Sequence, residues 1–205
     1  MSTSLGSFDK ATAVERSGPG RYVARVDPVW DGPGAPLGGV GAATILRAMI
    51  AEFAASDFAP RSVTVHFSQA LVHGPAEIEV QTLRRGRHLA TVQAHAVQEG
   101  VLRCAALATF GQPFPETAAW EAEPPAAPSP EESAEVDLPA EQVPHTQHLR
   151  FRPVFGPPPG PVLARFASRV SREGYWDEDG ELWSGDRQLL AQSRQLRLLR
   201  PLAES

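Results

Sequence analysis

PLGGVGAATILRAMIAEFAA, residues 36–55, is the stretch that decides the fold predicted from this sequence. It is the only long uninterrupted run of good helix formers in the chain, with a glycine-rich entry and no proline after Pro36. Its polar residues after the glycines are Thr44, Arg47 and Glu52 alone. A helix on a protein surface has a broad polar face. We therefore expect one helix whose circumference is mostly covered.

Short strand-like segments follow this helix, namely residues 62–67, 77–83, 89–98 and 101–110. Apolar and polar residues alternate in 77–83 and 89–98, which is the period of a strand with one wet face. Turns that contain glycine or proline separate the segments. An antiparallel sheet wrapped around a buried helix accounts for this order, so the sequence predicts the α+β class.

The chain before the helix is predicted to be irregular apart from one strand. Residues 1–19 are polar and are expected to be partly disordered, and residues 21–26 are expected to form a first strand. Residues 27–34 contain two prolines and two glycines, which exclude regular structure. This loop is expected to bring two carboxylates and Trp30 to the start of the helix.

Length and charge exclude several classes of function. With 205 residues and 42% hydrophobic content, the chain can bury a core. Its net charge of −5 is spread without long single-sign runs, which argues against a nucleic-acid surface and a polybasic membrane patch. No stretch approaches the ~20 apolar residues that span a bilayer, and residues 1–10 lack a signal-peptide pattern. We expect a cytoplasmic protein without nucleic-acid or membrane partners, and a buried Cys104.

Composition divides the chain into three predicted parts. Residues 1–111 hold the helix and its strands, and residues 112–147 form a proline-rich acidic linker with little apolar periodicity. Strand-like material resumes in residues 148–205, at 162–170, 181–183 and 189–199, without a second long helix.

Several motifs resemble double-hotdog acyl-CoA thioesterases of the type II kind. Trp30, the Pro-x-Gly-Gly entry at residues 36–39 and the apolar helix carry the match, together with residues 63–67, 74–75, 83–87 and 97–100. Residues 181–183 and 189–195 resemble the closing hairpin of the second hotdog in that family. The resemblance implies a hotdog fold with one complete unit and a reduced second one. Family members are longer and carry a catalytic aspartate on a second helix, and no residue here matches it.

The glycines at the helix start are the predicted substrate-binding residues. Gly38, Gly39, Val40 and Gly41 open the helix, and the NH groups of the last three are predicted to lack intrahelical partners. Such donors, aided by the helix dipole, polarise a thioester carbonyl. The alternative is that the glycines only allow the helix and the sheet to pack closely.

Two residues are candidates for orienting the attacking water. Gln195 matches the water-positioning glutamine of the family, although a lone strand glutamine is also typical of a solvated face. Asp31 is the carboxylate nearest in sequence to the helix start and could act as a substitute general base. Alternatively, it is a turn aspartate that bonds its own backbone.

A basic turn is the remaining candidate for substrate binding. Arg84 and Arg85, with Arg87 nearby, could meet the phosphates of coenzyme A, because the guanidinium fork suits phosphate. An exposed turn kept soluble by charge is the alternative. His145 and His148 alone are too few for a metal site, and no dinucleotide-binding fingerprint occurs in a fitting context. We therefore expect neither a metal nor a cofactor.

The sequence leaves two main functions open. One is hydrolysis of an acyl thioester, with acyl-CoA as the substrate implied by the resemblance. The other is a non-catalytic acyl-thioester-binding or scaffold protein that has lost the acid of the family. Another acyl-thioester transformation on the same fold, such as hydration, is a third possibility. A homodimer is expected, since a reduced second unit leaves strand edges or an apolar face to be covered.

Overall fold

The computed structural model describes residues 7–32, 34–54, 56–113, 132, 134–136, 144–148, 162–169, 171–172 and 175–198. The chain divides into two compact units. The first comprises Met1–Pro115 and Leu138–Leu149, and the second comprises Glu116–Asp137 and Arg150–Ser205. Most of the predicted linker, 112–147, lies outside the described residues. None of the helices in the described ranges is long and apolar enough to cross a bilayer.

The first unit is a six-stranded antiparallel sheet with one long helix. Its helices are α1 (Ser7–Ala11) and α2 (Gly38–Glu52), and short 3₁₀ turns lie at Pro28–Trp30 and Pro144–His148. Its strands are β1 (Val14–Gly18), β2 (Arg21–Val26), β3 (Asp31–Gly32), β4 (Ala35–Pro36), β5 (Ala59–Phe67), β6 (Gly74–Arg85), β7 (Leu89–Gln98) and β8 (Val101–Gly111). The sheet order is β1-β2-β6-β7-β8-β5, while β3 and β4 pair with each other.

Helix α2 lies on one face of this sheet and forms the centre of the core. Ile45, Ala48 and Met49 are fully buried, and Gly39 and Ile50 are the only exposed residues of the helix. The buried face of the sheet is built mainly from small side chains, which let the helix approach closely: Ala90, Ala94, Ala96, Cys104, Ala106 and Ala108. Burial raises the pKa of the Cys104 thiol to about 11, so this thiol stays neutral inside the core.

The prediction of disorder before the first strand is wrong for residues 7–18, which form α1 and β1. Both elements are fastened to α2 by charge pairs. Asp9 of α1 pairs with Arg47, and Arg16 of β1 pairs with Glu52, which also accepts a hydrogen bond of 2.6 Å from the Tyr22 hydroxyl. The polar residues of α2 therefore order the N-terminal segment, a tertiary effect that local composition cannot indicate.

The loop at 27–34 is also more regular than predicted. Asp27 accepts a hydrogen bond of 2.9 Å from the backbone NH of Val29 and so caps the 3₁₀ turn that follows. The turn leads into the β3–β4 pair, in which Asp31 lies opposite Pro36. Pro28 is tolerated because it lies at the start of the 3₁₀ turn, and Pro36 because it lies in a two-residue strand outside the main sheet.

The second unit is a small antiparallel sheet. Its strands are β9 (Val162–Ala167), β10 (Ser171–Arg172), β11 (Tyr175–Ser184) and β12 (Leu189–Leu198). Strand β11 is central, with β12 on one edge and both β9 and β10 on the other. No α-helix occurs in the described residues of this unit. A second long helix was predicted to be absent after residue 111, and most of residues 112–161 lie outside the described part of the chain.

Strand β11 is longer than the predicted strand at 181–183 because charged residues extend it. Asp179 binds Arg194 through two hydrogen bonds of 2.6 and 2.9 Å, and Glu181 faces Arg165 at 3.5 Å. These cross-strand pairs make one face of the sheet polar and hold the three chain segments together.

Candidate functional site

The start of α2, residues 37–41, is tied to the loop that precedes it. The β3–β4 pair holds Asp31 opposite Pro36, and the NH of Leu37 donates to the Trp30 carbonyl at 3.3 Å. Trp30 is buried, and its ring meets that of Phe8 edge-on with centroids 5.3 Å apart. The predicted loop therefore delivers Asp31 and Trp30 to the helix start.

The free amides of this helix start differ from those predicted. Leu37 is the N-cap, and its carbonyl accepts hydrogen bonds from Val40 at 3.0 Å and Gly41 at 3.4 Å. The prediction that the NH groups of Val40 and Gly41 lack intrahelical partners is wrong, because the cap residue already accepts the first helical bonds. Within the described residues, the NH groups of Gly38 and Gly39 have no acceptor. The leucine side chain at the cap cannot supply one.

The glycines of the helix start serve different purposes. A Cβ atom on Gly41 would lie 2.3 Å from Cδ1 of Leu71, and one on Gly38 would lie 3.4 Å from the Phe67 ring. Close packing therefore explains Gly41 and contributes at Gly38. A Cβ atom on Gly39 would meet no heavy atom within 4 Å. Packing therefore does not require a glycine at position 39. The empty space beside Gly39 leaves its backbone open to an approaching ligand.

A small apolar cavity lies behind the first turns of α2. Its volume is about 20 Å³, and its walls include Trp30, Leu37, Val40, Gly41, Thr44 and Leu71. A cavity needs roughly 10–15 Å³ to hold one water molecule. This space is therefore too small for an acyl chain as it stands.

Asp31 is paired with a histidine that the sequence analysis did not select. Both carboxylate oxygens of Asp31 lie 2.9 Å from Nε2 of His73. The Asp31 side chain is 19% exposed, and that of His73 is 50% exposed. The two residues are 42 positions apart. Only the tertiary fold brings them together, so no local pattern in the sequence indicates the pair.

His73 ends the β5–β6 loop, residues 68–73, which is held by buried polar side chains. The side-chain amide of Gln98, 2% exposed, donates to the Val72 carbonyl at 2.7 Å and accepts from the Val72 NH at 3.0 Å. Arg103, 9% exposed, donates to the Ala70 carbonyl at 3.2 Å. Buried polar groups that satisfy loop backbone in this way fix its conformation. The loop therefore presents His73 in a defined position.

Arg84 and Arg85 do not form one cluster. Successive strand residues point to opposite faces of a sheet, and Arg85 pairs with the inward-facing Ala90. The Arg85 guanidinium lies 5.2 Å from the ring centroid of Phe53 and 5.0 Å from that of Phe58. Phe53 is the C-cap of α2. Arg85 is therefore engaged at the end of a helix that is ~22 Å long, away from the glycines at its start.

Gln195 lies in the second unit, whereas the helix start and Asp31 lie in the first. It is an exposed residue of β12, and its register partner in β11 is Glu178, which is buried. Directly paired residues of an antiparallel sheet share a face. A carboxylate that the sequence analysis did not select thus stands on the same face as the predicted glutamine.

The described residues contain no group of three or more histidine, cysteine, aspartate and glutamate side chains that could hold a metal ion. His145 is engaged with backbone, since its Nδ1 lies 2.9 Å from the carbonyl oxygen of Asp31. The side chain of His148 lies outside the described part of the chain.

A sheet of this order packed on one central helix defines a hotdog protein. Three solved structures share the fold over nearly the whole chain. A hotdog protein of unknown function from Alicyclobacillus acidocaldarius superposes with a TM-score of 0.85 at 22% identity, covering 97% of this chain and 100% of that chain. The acyl-CoA thioesterase II of Mycobacterium marinum superposes with a TM-score of 0.73 at 15% identity, covering 96% of this chain and 99% of that chain. The tesB protein of Mycobacterium avium subs paratuberculosis superposes with a TM-score of 0.71 at 19% identity, covering 97% of this chain and 100% of that chain.

The sequence of the first unit is similar to a known domain family. Residues 26–111 match the model of the acyl-CoA thioesterase N-terminal domain. No curated protein matches the sequence. The predicted hotdog fold, its α+β class and the resemblance to type II acyl-CoA thioesterases are confirmed.

Proposed function

We propose that this protein hydrolyses an acyl thioester, with acyl-CoA as the substrate. The observation that carries the proposal is the pair of NH groups at Gly38 and Gly39, which have no acceptor among the described residues and open a helix in a thioesterase-type domain. Two backbone donors at a helix N-terminus suit the oxygen of a thioester carbonyl, which becomes negatively charged as water adds.

The proposed reaction needs a donor pair and a group that orients water. The amides of Gly38 and Gly39 polarise the carbonyl, and the open space beside Gly39 admits the thioester to the backbone. Asp31 and Gln195 are the candidates for orienting the water. Asp31 is supported by its place opposite Pro36, two residues before the helix. Gln195 is supported by its resemblance to the family glutamine and by the neighbouring carboxylate of Glu178.

A binding protein without catalysis is the second candidate function. It is favoured by one observation: no residue in this sequence matches the aspartate of the family. Such a protein would use the same amides and would release no free acid. Arg84 remains a candidate for a phosphate contact, whereas Arg85 is already held against two aromatic rings. The homodimer and the cytoplasmic location remain predictions.

A direct assay separates the two functions. The purified chain is incubated with acyl-CoA substrates of increasing acyl length, and both the released thiol and the free acid are measured. We expect acid and thiol to appear in equal amounts, well above background, with at least one acyl length. The matched control is the Gly39→Val variant, purified by the same procedure. Acid released by this variant sample measures the contribution of a contaminating hydrolase. Saturable binding of acyl-CoA by calorimetry, without release of acid, contradicts hydrolysis and establishes the binding function.

A further inference from the structure

We propose that His73 is the general base for this hydrolysis and that Asp31 is the residue that positions it. The inference rests on the proposed function, and it assigns the water-activating role to a side chain that neither the resemblance nor the sequence motifs indicate. It also changes the role of Asp31, which orients the base instead of acting as the base.

The contact between the two side chains selects the tautomer of the neutral imidazole. An ionised aspartate has only acceptors, so Nε2 of His73, which lies 2.9 Å from both carboxylate oxygens, carries the proton. In the neutral ring, Nδ1 then holds the free lone pair. A carboxylate on one ring nitrogen also stabilises the positive charge that forms when the other nitrogen accepts a proton. The pair thus has the arrangement of an oriented base.

The position of the pair suits the helix start. Asp31 is the register partner of Pro36, and paired strand residues have Cα atoms about 4.5–5.5 Å apart. Gly38 follows Pro36 by two positions, so the Cα atoms of Asp31 and Gly38 are at most about 13 Å apart. The His73 side chain is half exposed, so solvent water can reach the imidazole.

The loop that carries His73 is preorganised. Gln98 and Arg103 are both buried; Gln98 binds the backbone of Val72 in the loop and of Pro75 at the start of β6, and Arg103 binds the loop carbonyl of Ala70. Leu71 of the same loop is buried against Gly41. A base held by such supports loses little entropy when the substrate arrives.

The proposed hydrolysis has an addition step and an elimination step. Nδ1 of His73 takes one proton from a water molecule while the water oxygen bonds to the thioester carbon, and the carbonyl oxygen becomes an anion held by Gly38 and Gly39. The carbon–sulfur bond then breaks as the carbonyl re-forms, and the thiolate takes the proton from the imidazolium. One water is consumed, and one carboxylic acid and one thiol are produced.

Two variants of His73 test the role. His73→Gln keeps an NH donor for Asp31 but has no base, and His73→Ala removes the ring. We expect both to lower kcat by ~10² or more with KM changed less than about threefold, since general-base assistance is worth 10²- to 10⁴-fold. Added imidazole should restore turnover to His73→Ala, and the rescue should increase with the basicity of substituted imidazoles. His66→Ala, at an exposed histidine of β5, should retain full activity.

The outcomes separate the base from a structural contact. Full activity of His73→Gln overturns the inference, because it shows that the contact with Asp31 is what the fold requires. Loss of activity in both variants without rescue by imidazole overturns it as well. A wild-type chain that never hydrolyses a thioester refutes the proposed function and the inference together. An active wild type with active His73 variants refutes the inference alone.

Discussion

Replacing Gly39 by valine is expected to abolish acyl-thioester binding and turnover, with a loss of at least ~10² in kcat/KM. A Cβ atom at this position meets no heavy atom within 4 Å, so the protein has room for the side chain. The added methyl groups would fill the space in front of the two free amides, where the ligand is proposed to lie. Valine and glycine differ by only a few tenths of a kcal/mol in helix propensity. Thermal unfolding should therefore change little.

Two controls make this result specific. Gly39→Ala adds one methyl group and should cause a smaller loss, because it only partly fills the same space. Ile50→Val changes an exposed residue near the other end of α2 and should leave turnover unchanged. A folded Gly39→Val variant that still binds acyl-CoA with the affinity of the wild type would show that the ligand site is elsewhere.

Asp31→Asn is expected to lower kcat by ~10² or more with little change in KM. Asparagine occupies the same volume, but its amide can donate a hydrogen bond to Nε2 of His73 and so favour the wrong tautomer of the ring. The measurement is steady-state kinetics over acyl-CoA concentrations from below KM to saturation. Asp57→Asn, at an exposed aspartate of the first unit, should leave kcat unchanged.

Gln195→Ala is the matched test of the second candidate for orienting water. A fall of similar size in this variant, with Asp31→Asn fully active, would assign the role to the second unit and to the glutamine implied by resemblance. Falls in both variants would show that each residue contributes to turnover. Full activity of both variants would show that neither residue orients the water.

The helix and the strands could be predicted because their signals are local. The bounds of β2 and β7 match the predicted segments, since alternation and flanking turns mark both. Helix α2 begins two residues later than predicted, because Pro36 pairs with Asp31 in a short strand. Order in α1 and β1 depends on Arg47 and Glu52, which follow them by more than 30 residues. Composition therefore indicated disorder where long-range charge pairs form.

The site could be predicted only in part for the same reason. Glycines at a helix start are visible in the sequence, but which amides remain free depends on where the helix begins, and Leu37 fixes that. Arg84 and Arg85 are neighbours in sequence, yet the pleat of a strand sends them to opposite faces. The Asp31–His73 contact joins the short strand β3 to the loop before β6. Spacing in the sequence carries no signal for such a pair.

The proposed function requires that the amides of Gly38 and Gly39 receive the thioester carbonyl. Backbone NMR with a non-hydrolysable acyl-CoA analogue, in which a methylene group separates sulfur from the carbonyl, tests it without any need for turnover. We predict that the amide proton resonances of Gly38 and Gly39 move downfield on saturation, and that those of Val40 and Gly41, already bonded to Leu37, move much less. Saturable binding that leaves the Gly38 and Gly39 resonances in place would contradict the claim.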